Sequence, residues 1–297
     1  MKRALSIVSG LMLLTALGLA GPASAAVTLG SAAVPAGSAR AGCGTNQVRA
    51  QYTDNPSNPY FVPGTGRITQ WQTNSSFATV GEAITFVVLK PVAGGSYTVV
   101  GADARTLPSP LPSSGVTTFA LAAPIAVTAG WTLGLAQAQS ACLWNGGTIP
   151  AASTVVALDE VGMPAPGQTL LQTGFSPISP PSYTMDVAAT FIPDNTFSFG
   201  GISRNKKKGT ATETVNLPNA GDLIGSGDGA KVAGAGGAVI SKAVTAGQAT
   251  LKIKAKGKQK KKLNSEGKVK LNVAITYTPT GGDPSTQSVK VKLKKKT

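Results

Sequence analysis

Leu251-Lys252-Ile253-Lys254-Ala255-Lys256 and Val289-Lys290-Val291-Lys292-Leu293-Lys294 alternate apolar and cationic residues without a break. A period of two belongs to a β-strand, whose successive side chains leave on opposite faces. Each stretch therefore reads as a strand with one face toward a core and a row of ammonium groups on the other. Between and before them, Phe197, Phe199 and Ile202 alternate. Thr210–Leu217, Ala220–Gly225, Ala238–Ala243, Ala249–Lys256, Lys268–Thr278 and Thr286–Lys294 also read as strands. A seven-strand count over about 100 residues is the size of an immunoglobulin-like sandwich.

The pattern changes at Pro193-Asp194-Asn195. Upstream, short apolar or alternating runs are separated by turn residues, at a spacing that predicts a sandwich or jelly roll. The strand candidates are Gln47–Tyr52, Gly66–Thr73, Ala83–Lys90, Ser96–Ala102, Val116–Leu121, Trp131–Gln137, Thr154–Leu158 and Tyr183–Ile192. Gly94-Gly95 marks a hairpin. Pro-rich insertions interrupt the pattern at 106–115 and 162–181, and the second reads as a packed surface loop. No helical periodicity exceeds two turns. The expectation is an all-β chain of two bodies: a jelly-roll-like sandwich over 43–193 and a smaller immunoglobulin-like sandwich over 194–297.

Charge divides at the same place. From Asn195 to Thr297, 19 Lys and Arg204 face five acids, a net +15 equal to that of the whole sequence. Residues 26–194 carry a net −2. Such a cationic surface adsorbs to anionic polymers, and Lys252, Lys254, Lys256, Lys290, Lys292 and Lys294 are the candidate contacts. The same lysines also discourage edge-to-edge association of strands. Nucleic acid would be held through phosphate charge alone, because Arg forks and stacking aromatics are missing from the lysine rows.

The first 25 residues read as an export signal: Lys2 and Arg3, an apolar stretch Ala4–Ala20, and Ala23-Ser24-Ala25 as cleavage site. Residues 26–42 read as a mobile leader, and no later segment has the length of a membrane span. Leu217-Pro218-Asn219-Ala220-Gly221 resembles a wall-sorting pentapeptide, but its internal position makes it a turn between strands. An exported chain with two cysteines predicts a disulfide, Cys43 to Cys142. The expected location is secreted, extracellular or at the cell envelope.

The chemistry is bounded by an absence: the chain has no His. Ser-His-Asp triads, Cys–His pairs and His-based zinc sites are excluded, and no phosphate-cradling or calcium loop is present. No cofactor or metal is expected, and no catalytic residue can be named. A glycosidase needs only two carboxylates, and Asp54, Glu82, Asp103, Asp159, Glu160, Asp186 and Asp194 are available, though acids at turns are commoner. Trp71 and Trp131 read as core. Trp144, just before the turn Asn145-Gly146-Gly147, is the candidate exposed aromatic for a glycan. A polysaccharide-active enzyme or a carbohydrate-binding module is therefore the alternative to a non-enzymatic envelope protein.

The lysine-rich stretch resembles a carboxy-terminal module of exported bacterial proteins without assigned activity. The residues carrying the likeness are Asn205–Ala211, Leu251–Gly257, Lys261-Lys262-Leu263, Gly267–Leu271, Thr276–Gly282 and the closing lysines. The front part is similar to β-sandwich domains that precede this module, through Arg67–Trp71, Tyr97–Gly101 and Ala129–Leu135. The resemblance implies a two-part β-protein and brings no catalytic motif.

Overall fold

The computed structural model describes residues 25–44, 47–52, 59–146, 154–159, 162–174, 183–227, 230–233, 238–239 and 247–296. The expected export signal lies outside them except for Ala25. The fold is all-β, with one short helix among the described residues.

The first part contains β1 (Val27–Ser31), β2 (Ala39–Ala41), β3 (Gln47–Tyr52), β4 (Gly66–Asn74), β5 (Ala83–Val92), β6 (Ser96–Thr106) and β7 (Val116–Val127). It continues with β8 (Thr132–Ala136), β9 (Leu143–Asn145), β10 (Thr154–Asp159), β11 (Thr169–Gly174), β12 (Tyr183–Met185) and β13 (Val187–Pro193). Six strands close on themselves in the order β10-β11-β6-β5-β8-β3, and β1-β13-β4-β7 form an open antiparallel sheet. The short strands β12-β9-β2 make a third sheet.

The wall shared by barrel and sheet explains the apolar run Phe86–Leu89. In β5, Val87 and Leu89 belong to a small core with Val48, Ala50, Val99 and Leu158 of the other barrel strands. Ile84, Phe86 and Val88 belong to the larger core with Ile68, Trp71 and Phe191 of the open sheet. A strand covered on both faces has no polar side to show, so it reads as continuous hydrophobic sequence.

Two expectations differ from this arrangement. The stretch read as a mobile leader supplies β1, paired with β13 from Val27↔Phe191 to Ser31↔Val187, with Leu29 buried. The second Pro-rich insertion contains β11, which closes the barrel between β10 and β6.

The second part is a sandwich of two four-stranded sheets. Its elements are β14 (Ser198–Asn205), β15 (Thr210–Leu217), β16 (Gly221–Gly227), β17 (Ala230–Ala233) and β18 (Ala238–Val239). They continue with β19 (Gly247–Ala255), α1 (Gly257–Glu266), β20 (Lys268–Pro279) and β21 (Ser285–Lys294). The sheet orders are β14-β15-β19-β17 and β18-β16-β20-β21. Leu251 and Ile253 of β19 share one core with Val269, Leu271, Val291 and Leu293 of β20 and β21. That shared core is what the alternation anticipated. The helix was not anticipated: it buries only Leu263, so it has no apolar stripe, and it ends on Gly267 in the left-handed conformation.

The two parts meet through Asn219, in the turn between β15 and β16. Its Oδ1 accepts from the Thr65 amide (2.6 Å). Its Nδ2 donates to the carbonyls of Thr65 (2.8 Å) and Asp194 (2.9 Å). Tyr277 Oη donates to the Asn219 carbonyl (2.9 Å) from within the second core.

Cys43 and Cys142 form a disulfide between the ends of β2 and β9, with both residues fully buried. The bridge closes a loop of 99 residues. In the chain-entropy account a loop of this size contributes about 4–5 kcal/mol. Replacing both residues by Ala is expected to lower the unfolding free energy by about that amount. Urea denaturation checks this, and an unchanged midpoint would contradict it.

Candidate anion-binding surface

The first part offers no open aromatic platform at the predicted position. Trp144 lies in β9 between β2 and β12 and is 2 % exposed. This corrects its reading as the surface aromatic. Its ring is covered by the Arg40 guanidinium, 4.4 Å from the ring centroid. Arg40 arrives from β2, about 100 residues away in sequence, so the Asn-Gly-Gly turn beside Trp144 gave a misleading local cue. Trp71 is fully buried, stacked on Phe86 and Phe119, and Trp131 is half-buried against the same core.

Around Arg40 lies a buried polar network. Its Nη1 donates to the Ser140 carbonyl (2.9 Å) and pairs with Asp186 Oδ2 (3.2 Å). Its Nη2 donates to Asn74 Oδ1 (3.0 Å) and to the Asn74 carbonyl. Asp186 Oδ1 accepts from the Asn74 amide (3.0 Å). Nearby, Glu82 accepts from the amide of Ser140 (2.7 Å) and from its hydroxyl. Asp103 accepts from Trp71 Nε1 (2.7 Å) and Arg105 Nε (2.9 Å). Asp194 accepts from the Thr196 amide (2.9 Å). These four carboxylates are thus held by neighbours in the chain. Asp54 and Glu160 lie outside the described residues, and Asp159 ends β10.

Burial drives the Asp186 carboxyl up to about 7, and the Arg40 charge and the Asn74 amide offset this only in part. Burial likewise raises Glu213, an acid set among the inward-facing residues of β15.

The lysines named from the alternation are all exposed, but they do not share one face. Lys252 and Lys254 lie on β19, with Lys256 just beyond it, whereas Lys290, Lys292 and Lys294 lie on β21 of the opposite sheet. Because Leu251, Ile253, Val291 and Leu293 meet in one core, the two lysine rows point outward on opposite sides.

The β21 row is extended by two lysines the site reading omitted. Lys268 and Lys270 of β20 stand directly opposite Lys294 and Lys292. Their own alternation, Lys268-Val269-Lys270-Leu271, was the available cue. Directly opposed like charges cost free energy in a sheet. The lone ion pair found among the described residues of this part joins Lys262 and Glu266 on α1, at 4.0 Å.

No family model, curated protein or solved structure matches the chain. Among the described residues, no helix is long and apolar enough to cross a membrane.

The Arg40 network makes a pH prediction. Asp186 ionises near its ordinary 3.8 in the unfolded chain but near 7 in the fold. The folded state then holds the proton more tightly, so this group's stabilisation is complete below pH 3.8 and is lost as pH rises toward 7. Asp186→Asn is expected to remove that decline, seen as a variant-to-wild-type stability difference that moves in the variant's favour from pH 5 to pH 7. A pH-independent difference would contradict it. Arg40→Ala is expected to cost about 1–3 kcal/mol at pH 7: Asp186 then takes up a proton, and the Asn74 carbonyl and Oδ1 lose their charged donor.

Proposed function

We propose that the chain is an exported, non-enzymatic protein of the cell envelope or its surroundings. Its lysine-rich second part holds it on anionic polymers there, and the first part presents a β-structure whose ligand is open. The observation that carries this reading is the placement of charge. The whole net +15 belongs to residues 195–297. There the described lysines of β19, β20 and β21 are displayed outward, in rows that include directly opposed lysines. Sequence supports export through the signal-like first 25 residues, and the buried Cys43–Cys142 disulfide is compatible with an oxidising compartment.

The alternative, a polysaccharide-active enzyme or a carbohydrate-binding module, draws no support from the described residues. Trp144 is covered by Arg40, and Glu82, Asp103 and Asp186 are committed to internal partners.

A single substitution separates retention from fold support. Lys292→Glu places an acid opposite Lys270 in a directly facing pair. The fold is expected to gain about 0.2–1 kcal/mol, because a like-charge pair becomes an opposite-charge one. Co-sedimentation of the full chain with purified envelope polymer at low salt is expected to weaken, and to vanish for the unaltered chain at high salt. Stabilisation with undiminished co-sedimentation would mean that the lysine rows do not retain the protein.

A further inference from the structure

One end of the sandwich gathers lysines that the strand pattern does not connect. The turn between β14 and β15 carries Lys206, Lys207 and Lys208, and α1 carries Lys258, Lys260, Lys261 and Lys262. The tail after β21 is tied to both: the Lys295 amide donates to the Gly267 carbonyl (2.8 Å) and the Lys296 amide to the Lys206 carbonyl (3.0 Å). Between turn, helix and tail lies a cleft of about 460 Å³, open at one side.

Five lysines line the cleft: Lys208, Lys254, Lys256, Lys260 and Lys295. They come from four segments of chain, and no aspartate or glutamate is among the lining residues. Leu263 forms an apolar floor and is 4 % exposed. Gly209, at φ 61°, lets the walls close: a Cβ there would stand 3.0 Å from Leu263 Cδ2 and 3.2 Å from Lys295 Cβ. Lys295 Nζ is held by Asn264 Oδ1 (2.9 Å), a neutral partner that orients the ammonium without cancelling its charge. Five lysines lining one half-open cleft repel one another. An anion in that space removes the repulsion.

From this geometry we infer that the cleft binds a flexible chain of repeated phosphate groups, with these five lysines neutralising successive phosphates. Lysine binds phosphate as a point charge, so five of them suit phosphates of variable spacing, and no arginine lines the cleft to impose the fork geometry of a single fixed anion. No aromatic residue lines it either, so bases have nothing to stack on. The inference rests on retention by charge and adds a location and a ligand class to it. Two of the lysines read from the alternation, Lys254 and Lys256, belong to the cleft.

The test compares two full-length variants of equal net charge at 0.15 M salt, where exposed charges beyond about 8 Å are screened. One carries Lys208→Gln, Lys256→Gln and Lys260→Gln; the other carries Lys268→Gln, Lys270→Gln and Lys290→Gln on the strand face. All six residues are exposed, so both variants keep the fold, checked by circular dichroism. The probes are inorganic polyphosphate, a glycerol-phosphate polymer and single-stranded DNA of matched charge, titrated by calorimetry.

For a phosphate-chain probe, loss of three cleft contacts is expected to weaken binding roughly 50-fold and to reduce the salt slope by about two. The strand-face variant is expected to lose no more than about threefold, through weaker long-range attraction. Binding of either phosphate polymer with this contrast supports the site, and which polymer binds identifies the source. Equal losses in both variants overturn the cleft while leaving retention by charge intact. DNA bound more tightly than either phosphate polymer shows that the bases are contacted, and overturns the ligand class. No binding by the unaltered chain, even at low salt, overturns the cleft and the retention reading together.

Discussion

A lysine ammonium cannot enter an apolar core without losing its charge or acquiring a partner there. The second part of this chain has few acids to serve as partners. In β19 and β21 every second residue is therefore barred from the interior, and the residues between must face it. A slip of one residue would bury a row of lysines and expose Leu251, Ile253, Val291 and Leu293. Register, sheet orientation and the single shared core follow from that prohibition. The helix and the terminal tail can then occupy only the end of the sandwich, where their own lysines meet those of the β14–β15 turn.

The first part solves the problem of charge in the opposite way. It carries few charges, and it buries some of them with their partners already in place. Arg40, in β2, and Asp186, between β12 and β13, are far apart in sequence and meet beside the disulfide, where the Asp186 amide donates to the Cys142 carbonyl. Strands β5 and β8 are covered on both faces, which leaves little room for polar alternation. The first part is thus held by apolar layers and a buried ion pair, the second by a strict division of inside from outside. Asn219 joins the two through both of its side-chain polar atoms.

Strand identity was legible where one face is wet or where an apolar run is long. Gln47–Tyr52 and Thr210–Leu217 occupy the residues their patterns named. What was not legible depends on partners distant in the chain. Val27–Ser31 is too short and Gly-interrupted to declare itself, and it becomes a strand because β13 offers an edge. Thr169–Gly174 hides among prolines yet completes the barrel, and the closure itself is a non-local property that no spacing of strands encodes. The helix escaped because one buried leucine makes no period. Trp144 was misplaced because its cover, Arg40, arrives from another strand. Among the lysines, their exposure was readable from alternation, but their division between two outer faces required the sheet orders.

Solubility and protection of strand edges explain only some of these lysines. Strand β21 is the edge of its sheet, so Lys290, Lys292 and Lys294 can deter pairing with another chain. Strand β19 is flanked on both sides by β15 and β17, and Lys252 and Lys254 guard no edge. The lysines of α1 and of the β14–β15 turn guard none either. Solubility would be served equally well by lysines dispersed over both parts, without the self-repulsion that comes from crowding them at one end. The first part nevertheless carries a net −2. The distribution is unfavourable for folding and unnecessary for solubility, and on the retention proposed above an anionic polymer supplies the missing negative charge. In that proposal the cleft at the end of the sandwich, lined by lysines from four segments and by no acid, is where the polymer gains most.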